Sequence, residues 1–250
     1  MLSKGKIKLI KSLEKKKNRD ETGLFLVEGN KSVAEMLPHF ECELLVAKPS
    51  WLATQGDIKA KELIVATDDD IERASLLKNP QDVIAVFYQP SCRLDYEDLK
   101  NNLSLVLDEI QDPGNLGTII RLANWFGIKQ IICSPNTADC YSPKTVQSTM
   151  GGLKHVKVFY ESLPEFFSKV EDLPVYGTFL DGENIYSQEL TKFGLIVMGN
   201  EGNGISPQIE QFISKRLYIP SYPQEEDSTE SLNVAIATAI VCAEFRRRNV

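Results

Sequence analysis

The chain has 250 residues, a length that accommodates two modest domains with a buried core each. Hydrophobic residues make up 42% and charged residues 25% of it, as in ordinary globular proteins, while the net charge of −7 argues against a simple nucleic-acid-binding protein. Lysine-rich residues 1–19 do not resemble a signal peptide, and the apolar stretch 234–245 is too short to cross a bilayer. The five cysteines are not closely paired in the sequence, which predicts reduced thiols, a cytoplasmic location and no metal site.

Positive charge is concentrated at the two ends of the sequence. Residues 1–19 carry eight basic side chains against the single acid Glu14, and residues 246–248 are all arginine. Phosphate affinity follows local rather than total charge, because every neutralised phosphate releases counterions. We therefore expect residues 1–19 to contact nucleic-acid phosphates, whereas residues 246–248 fit either a second contact or a solvated chain end.

Residues 1–90 predict a small α/β domain. Apolar runs at 24–27, 44–46, 63–65 and 83–87 are typical of strands, and helical patterns lie between them, the first ending near residue 37. A stretch with Pro90, several charges and little periodicity follows, and we assign residues 91–102 as a linker.

Residues 103–250 predict a second α/β domain. Strands are expected at 103–107, 130–133, 156–159, 175–179, 195–198 and 217–219. Helices are expected at 116–127, 143–150, 163–170, 207–214 and 231–248. Strands that alternate with helices favour a mainly parallel sheet covered on both faces. Ligands of such folds bind at the carboxyl ends of the strands.

The first strand of this domain leads into a turn rich in Asp, Pro, Gly and Asn, after which a helix is expected to begin near Gly117. Asn115 and Arg121 lie about one and a half helical turns apart, so both are expected near the mouth at the strand end. Taken alone, the pair is better explained by a helix N-cap and a surface ion pair.

Two further segments place polar residues after apolar runs. Residues 195–206 form a strand pattern that opens into a glycine-rich loop, Gly199 to Gly204, where the backbone is able to approach a ligand closely. Residues 217–220 form a short apolar run ended by proline, and a long apolar helix begins at Ser231 after an acidic loop. The glycine spacing does not match the dinucleotide fingerprint, which disfavours a nucleotide-dependent oxidoreductase.

Together, these three segments resemble the signature motifs of the SpoU (TrmH-like) RNA 2′-O-ribose methyltransferases of the SPOUT superfamily. The first has the form Asn-x-Gly-x-x-x-Arg, the second is similar to Leu-Gly-x-Glu-x-x-Gly, and the third is Ile-Pro followed by Ser-Leu-Asn-Val. The resemblance covers residues 103–248 and implies a deep trefoil knot that forms the cofactor pocket. Residues 1–90 resemble, more loosely, the L30e-like RNA substrate-binding domain that often precedes it.

The resemblance implies transfer of a methyl group from S-adenosylmethionine to a ribose 2′-hydroxyl of ribosomal or transfer RNA. The residues that it implies for cofactor binding are Met198, Gly199, Ile219 and Leu232. The polar residues that it implies for catalysis are Asn115, Arg121, Glu201, Ser231 and Asn233. It also implies a homodimer that pairs through the C-terminal domain. Arg121 either activates the hydroxyl or, since a guanidinium is a poor base, clamps the target phosphate.

The sequence departs from the family pattern around the third motif. Ser221 follows Ile-Pro, where the family usually has Met, and residues 223–230 form a longer loop with three acidic side chains. Negative charge weakens the approach of phosphate, so this loop is expected to set specificity or to fold over the cofactor. The alternative function is a non-catalytic RNA-binding or ribosome-associated protein with the same fold, which would have little use for all five polar residues.

Overall fold

The computed structural model describes residues 1–170, 172–222 and 231–248. The helices are α1 Lys4–Ser12, α2 Lys16–Thr22, α3 Asn30–Met36, α4 Pro49–Leu52, α5 Asp68–Ala74, α6 Tyr96–Asn101, α7 Pro113–Trp125, α8 Pro143–Thr149, α9 Leu163–Phe167, α10 Pro207–Glu210 and α11 Val234–Arg247. The strands are β1 Leu24–Glu28, β2 Cys42–Ala47, β3 Glu62–Val65, β4 Val83–Tyr88, β5 Leu103–Leu107, β6 Gln130–Cys133, β7 Lys157–Tyr160, β8 Val175–Asn184, β9 Gly194–Met198 and β10 Lys215–Tyr218. The acidic loop 223–230 lies outside the described residues.

Packing divides the chain into two compact units. The first comprises Met1–Ser91 together with Asp139–Lys154, and the second comprises Cys92–Ala138 together with the chain from His155 onward. The sequence-based division assigned residues 139–154 to the second domain. In the structure, α8 of this segment packs against β1 of the first unit.

The first unit is built on a mixed sheet with the strand order β1-β4-β2-β3. Strand β4 is antiparallel to β1 and β2, and β3 is parallel to β2. Buried apolar side chains of α1 and α5, such as Ile10 and Ile71, share one core with side chains of the sheet. Aromatic rings form a separate cluster, in which the centroid of Phe25 lies 5.5 Å from that of Phe40 and 4.8 Å from that of Tyr141.

The basic N-terminal run folds into α1 and α2, although the sequence analysis assigned no helix there. Ser3 caps α1 by accepting a hydrogen bond from the backbone N–H of Lys6. Lys4, Lys8 and Lys11 are exposed, at the spacing that places three residues on one helix face. Arg19, in contrast, is buried and belongs to the core rather than to a charged surface.

Arg19 holds the returning segment 139–154 by a buried ion pair. Its Nη2 atom lies 2.5 Å from Oδ2 of Asp139, and its Nη1 atom donates to the carbonyl oxygens of Leu13 and Glu14 at 2.8 Å each. The pair therefore joins α2 and the turn before it to a residue 120 positions away in the sequence.

The second unit contains a six-stranded sheet in its described residues, with the order β10-β8-β9-β5-β6-β7. Every pairing in this sheet is parallel, which confirms the predicted fold class. Leu107 at the end of β5 is opposite Met198 at the end of β9, so the loops after these two strands begin side by side. The trefoil knot stays a prediction.

Helix starts in the second unit differ from those predicted. Helix α7 begins at Pro113 rather than near Gly117, because the Asp112 side chain caps it by accepting from the Asn115 N–H at 2.8 Å. Asn115 is therefore inside the first turn and is not the cap. Helix α11 begins at Val234, and its cap is Asn233 rather than Ser231.

Other bounds differ by a few residues. The short helix α6 lies within the predicted linker, α9 and α10 end earlier than expected, and β8 continues well beyond residue 179 to Asn184. Strands β5 and β6 have the predicted bounds, since mainly apolar runs between turn residues are typical of buried parallel strands. None of the helices in the described ranges has the length and apolarity needed to cross a bilayer.

We expect Asp139→Ala to destabilise the protein, because it leaves the buried guanidinium of Arg19 without its carboxylate. Breaking such a pair costs about 3 kcal/mol of unfolding free energy. The exposed pair between Lys16 and Asp20 provides the control, and Asp20→Ala should cost less than about 0.5 kcal/mol. Urea unfolding of both variants measures the difference, and equal losses would contradict the role given to Arg19.

Candidate functional site

A cavity of about 520 Å³ lies in the second unit, beside the loop that follows β9. Its walls come from four stretches of the chain that are far apart in sequence. The lining residues include Thr178, Phe179, Leu180, Met198, Gly199, Glu201, Gly204, Glu210, Leu217, Ile219, Ser231, Leu232 and Val234. The position agrees with the rule that α/β sheets bind ligands at the carboxyl ends of their strands.

The glycine-rich loop after β9 is a tight hairpin. Asn200 and Gly204 exchange two backbone hydrogen bonds of 2.9 Å, which close the loop on itself. A Cβ atom on Gly199 would lie 2.2 Å from the carbonyl carbon of Gly204, so only glycine fits there. Gly204 itself has a φ of 70°, a left-handed conformation that favours glycine.

This loop is fastened to the end of β5. The buried carboxylate of Asp108 accepts from the Ser206 N–H at 2.8 Å, and the Asn200 side chain donates to the Glu109 carbonyl oxygen at 2.8 Å. The Asn200 Oδ1 atom also accepts from the backbone of Gly202 at 2.9 Å. Sequence reasoning missed both Asp108 and Asn200, although a polar residue within two positions of the end of each buried strand was a usable signal.

Backbone strain occurs at the same point. Glu109 has a φ of 59°, a left-handed conformation that is uncommon for a residue with a side chain. Its N–H donates to the Ser134 hydroxyl at 2.9 Å, and its carboxylate accepts from Asn136 at 2.9 Å. These contacts, together with the bond from Asn200, hold the strained residue in place, as is common beside functional sites.

Three of the predicted polar residues form a continuous chain of hydrogen bonds. Asn115 Nδ2 donates to Glu201 Oε1 at 3.0 Å, and Asn233 Nδ2 donates to Asn115 Oδ1 at 3.0 Å. Asn233 Oδ1 meanwhile caps α11 by accepting from the N–H of Ala235 at 2.9 Å. The first turn of α7, the glycine-rich loop and the start of α11 are therefore joined through side chains.

The other two predicted polar residues are not part of this chain. Ser231 is exposed and lines the cavity. Arg121 is exposed on α7 and does not line the cavity, and its side chain makes no hydrogen bond or ion pair with another described residue. Its guanidinium is always charged, so it is available to an anionic ligand from solution.

The four residues predicted to hold the cofactor all line the cavity: Met198, Gly199, Ile219 and Leu232. A fourth stretch, Thr178 to Leu180 of β8, lines it as well and was missed. That stretch lies in no motif and has an ordinary sequence, so no signal in the chain identified it.

Cys242 on α11, one of the five cysteines, is fully buried. Burial raises the pKa of the Cys242 thiol to about 12, so it stays protonated at neutral pH and is a poor nucleophile. Within the ranges 1–170, 172–222 and 231–248, the side chains of His, Cys, Asp and Glu form no group of three that is placed to hold a metal ion. The site thus combines a chain of amide and carboxylate side chains with a cavity whose walls are partly apolar.

Comparison with known proteins assigns both parts of the chain. Residues 102–243 match the SpoU rRNA Methylase family, and residues 4–85 match the MRM3-like substrate binding domain. Among curated proteins, the 23S rRNA (guanosine(2553)-2′-O)-methyltransferase RlmP of Bacillus subtilis is 34% identical over 247 residues, which are 96% of each chain. The 23S rRNA (uridine(2479)-2′-O)-methyltransferase of Streptomyces viridochromogenes is 29% identical over 76% of this chain and 69% of its own.

Solved structures agree with these relatives. A TrmH-family protein from Porphyromonas gingivalis is 40% identical, covers 99% of both chains and has a TM-score of 0.90. The AdoMet-bound rRNA methyltransferase from Sinorhizobium meliloti is 29% identical, covers 100% of this chain and 97% of its own, and has a TM-score of 0.83. The match of the family over more than half of the sequence, with its motifs around one cavity, shows that this chain belongs to the SpoU rRNA methylase family.

Proposed function

We propose that this protein transfers a methyl group from S-adenosylmethionine to a ribose 2′-hydroxyl in structured RNA. The observation that carries the proposal is the convergence of the second and third motifs on one cavity, with the first motif hydrogen-bonded to both. The relatives named as 23S rRNA methyltransferases favour ribosomal RNA as the substrate. The same relatives favour a methyltransferase over the alternative, a non-catalytic RNA-binding protein. Such a protein would have no use for the hydrogen-bonded chain of Asn115, Glu201 and Asn233.

The cavity suits the proposed cofactor. Gly199 leaves backbone groups accessible, and Phe179, Leu217 and Leu232 give apolar surface for the uncharged parts of a nucleoside and a thioether chain. Met198, Gly199, Ile219 and Leu232 would hold the cofactor. When bound, S-adenosylmethionine supplies an electrophilic methyl group to the ribose oxygen.

The polar residues have separate roles in this proposal. Arg121 binds the phosphate next to the target ribose and stabilises the negative charge that develops on the attacking oxygen. Glu201 orients the glycine-rich loop, because its carboxylate accepts from Asn115 and from the backbone of Gln111 and Asp112. Ser231 and Asn233 hold the substrate end of the site. Much of the rate enhancement then comes from positioning the hydroxyl in line with the methyl group.

The lysine face of α1 is the proposed RNA contact of the first unit. Lys4, Lys8 and Lys11 form no ion pair with other described residues, whereas Lys6 pairs with Glu62, and Lys16 with Asp20. These three free lysines provide a local positive surface on a chain with a net charge of −7. A face of this kind binds phosphates without reading the base sequence.

A homodimer through the second unit is also part of the proposal. Helices α7 and α11 pack against each other. Trp125 on α7 is 83% exposed, and Ile236 on α11 is 53% exposed, followed by Ile240 and Ala243 on the same face. An exposed apolar surface of this kind on paired helices suits a second copy of the chain.

The main test is methyl transfer by the intact protein and by its Arg121→Ala variant. Tritiated S-adenosylmethionine and ribosomal RNA from a strain that lacks the protein are the reactants. We expect transfer by Arg121→Ala to fall by roughly 100-fold or more, as for the loss of a group that stabilises an oxyanion. Calorimetry should give the same cofactor affinity for both proteins.

The control for that experiment is Arg73→Ala. Arg73 is paired with Asp69 on an exposed helix face of the first unit and should be replaceable without loss of activity. Undiminished transfer by Arg121→Ala would refute its role. Absence of any transfer by the intact protein to this ribosomal RNA, and to transfer RNA from the same strain in a parallel reaction, would refute the proposed function.

The lysine face predicts a change in salt dependence. The triple variant Lys4→Gln, Lys8→Gln and Lys11→Gln should bind RNA more weakly, and the slope of log affinity against log salt should shrink by roughly 2 to 3. The matched variant Lys16→Gln and Lys17→Gln removes lysines that already pair with Asp20 and Glu21, so its slope should change little. Filter binding over a salt series measures both, and identical slopes would contradict the assignment.

The dimer surface predicts an oligomeric change. Trp125→Glu places a charge on this apolar surface and should give a monomer in sedimentation velocity, whereas the unaltered chain should sediment as a dimer. Phe193→Glu, at an exposed aromatic residue outside this face, should leave the dimer intact. A dimer that persists in Trp125→Glu would show that another surface pairs.

A further inference from the structure

The part of the cavity wall that the sequence did not predict, Thr178 to Leu180, comes from an irregular part of β8. Arg216 of β10 pairs with Gly177, but the next residue, Leu217, pairs with Glu183. Residues 178–182 therefore leave the pairing with β10, and Thr178, Phe179 and Leu180 turn to the cavity. Where Gly182 returns, a Cβ atom would lie 2.6 Å from the Leu217 carbonyl carbon, so the two strands touch closely there.

The side chain of Arg216 makes three contacts with or beside residues 178–182. The guanidinium carbon of Arg216 lies 3.6 Å from the centroid of the Phe179 ring, and its Nη2 atom lies 2.5 Å from Asp181 Oδ1. Its Nη1 atom pairs with Glu210 of α10, another residue that lines the cavity. The hydrogen bond from Arg216 lowers the pKa of Asp181 below its ordinary value, so that carboxylate stays charged.

The contact types suit arginine in particular. A planar guanidinium stacks on an aromatic face and still presents N–H donors at its edges to two carboxylates. Each exposed ion pair alone contributes little. Here, however, the stacked ring and Asp181 belong to β8, Glu210 belongs to α10 and Arg216 itself belongs to β10, so the contacts join three elements.

We propose that Arg216 is a positioning residue that sets the affinity for S-adenosylmethionine by holding the Phe179 wall in its binding conformation. The inference rests on the proposed function, because it concerns the same cavity. A wall that is ordered before the ligand arrives loses less freedom on binding. If the wall adopts that conformation only part of the time, the apparent dissociation constant rises by the inverse of that fraction. The Arg216 side chain has no hydrogen bond or ion pair with Asn115, Glu201 or Asn233, so the transfer step itself should not depend on it.

The test compares Arg216→Met with Lys215→Met. Lys215 is the preceding residue of β10 and does not line the cavity. Its ammonium lies 5.9 Å from the centroid of the Tyr176 ring and donates to the carbonyl oxygen of Glu189. We expect calorimetry with S-adenosylmethionine to give a dissociation constant about tenfold higher for Arg216→Met and within twofold of the unaltered chain for Lys215→Met. In steady-state transfer, KM for the cofactor should rise with little change in kcat.

A second variant separates positioning from general damage to β10. Phe179→Leu keeps an apolar side chain in the wall but removes the ring face that Arg216 stacks on, and it should raise the dissociation constant in the same way. Arg216→Lys keeps the charge without the planar fork and should restore only part of the affinity.

Three results would overturn the inference. They are unchanged affinity in Arg216→Met and Phe179→Leu, equal losses in Arg216→Met and Lys215→Met, or a fall in kcat with constant KM. Failure of the unaltered chain to bind S-adenosylmethionine would overturn the proposed function and this inference together. Normal binding by the unaltered chain and by both cavity variants would overturn this inference alone.

Discussion

Hydrogen bonds between the end of β5 and the loop after β9 are the constraint on which the site depends. The two strands are parallel neighbours, so their last residues lie side by side, and Asp108 and Asn200 then fasten one loop to the other. Asn115 adds a third connection through Glu201. Because these bonds form within the folded chain, they hold the glycine-rich hairpin in place without a ligand, and the entropy of ordering it is lost on folding rather than on binding.

The sequence predicted the second unit well where burial decides the structure. Strands β5 and β6 were predicted with their observed bounds, because both are mainly apolar runs between turn residues. Helix starts were predicted less well, since competing polar residues stand at each one. Asp112 rather than Asn115 caps α7, and Asn233 rather than Ser231 caps α11, and only the geometry of the chain selects between such neighbours.

The parts that escaped prediction depend on partners far away in the sequence. The motifs identified Asn115 and Asn233 separately, but their hydrogen bond spans 118 positions and has no local signal. Asp139 likewise looks like a turn residue until Arg19 is placed beside it. The wall formed by Phe179 follows from a break in strand pairing, which periodicity does not reveal, and its contact with Arg216 joins two strands.

The returning segment Asp139–Lys154 limits how the first unit can be replaced by the corresponding unit of another protein. In sequence the segment stands between β6 and β7, yet it folds with the first unit and supplies Asp139, Tyr141 and α8 to it. Recombination at a single junction near residue 91 would bring in a foreign substrate domain without the side chains that its core requires. A successful graft of the first unit must therefore carry both pieces, which are encoded at two separate places in the gene.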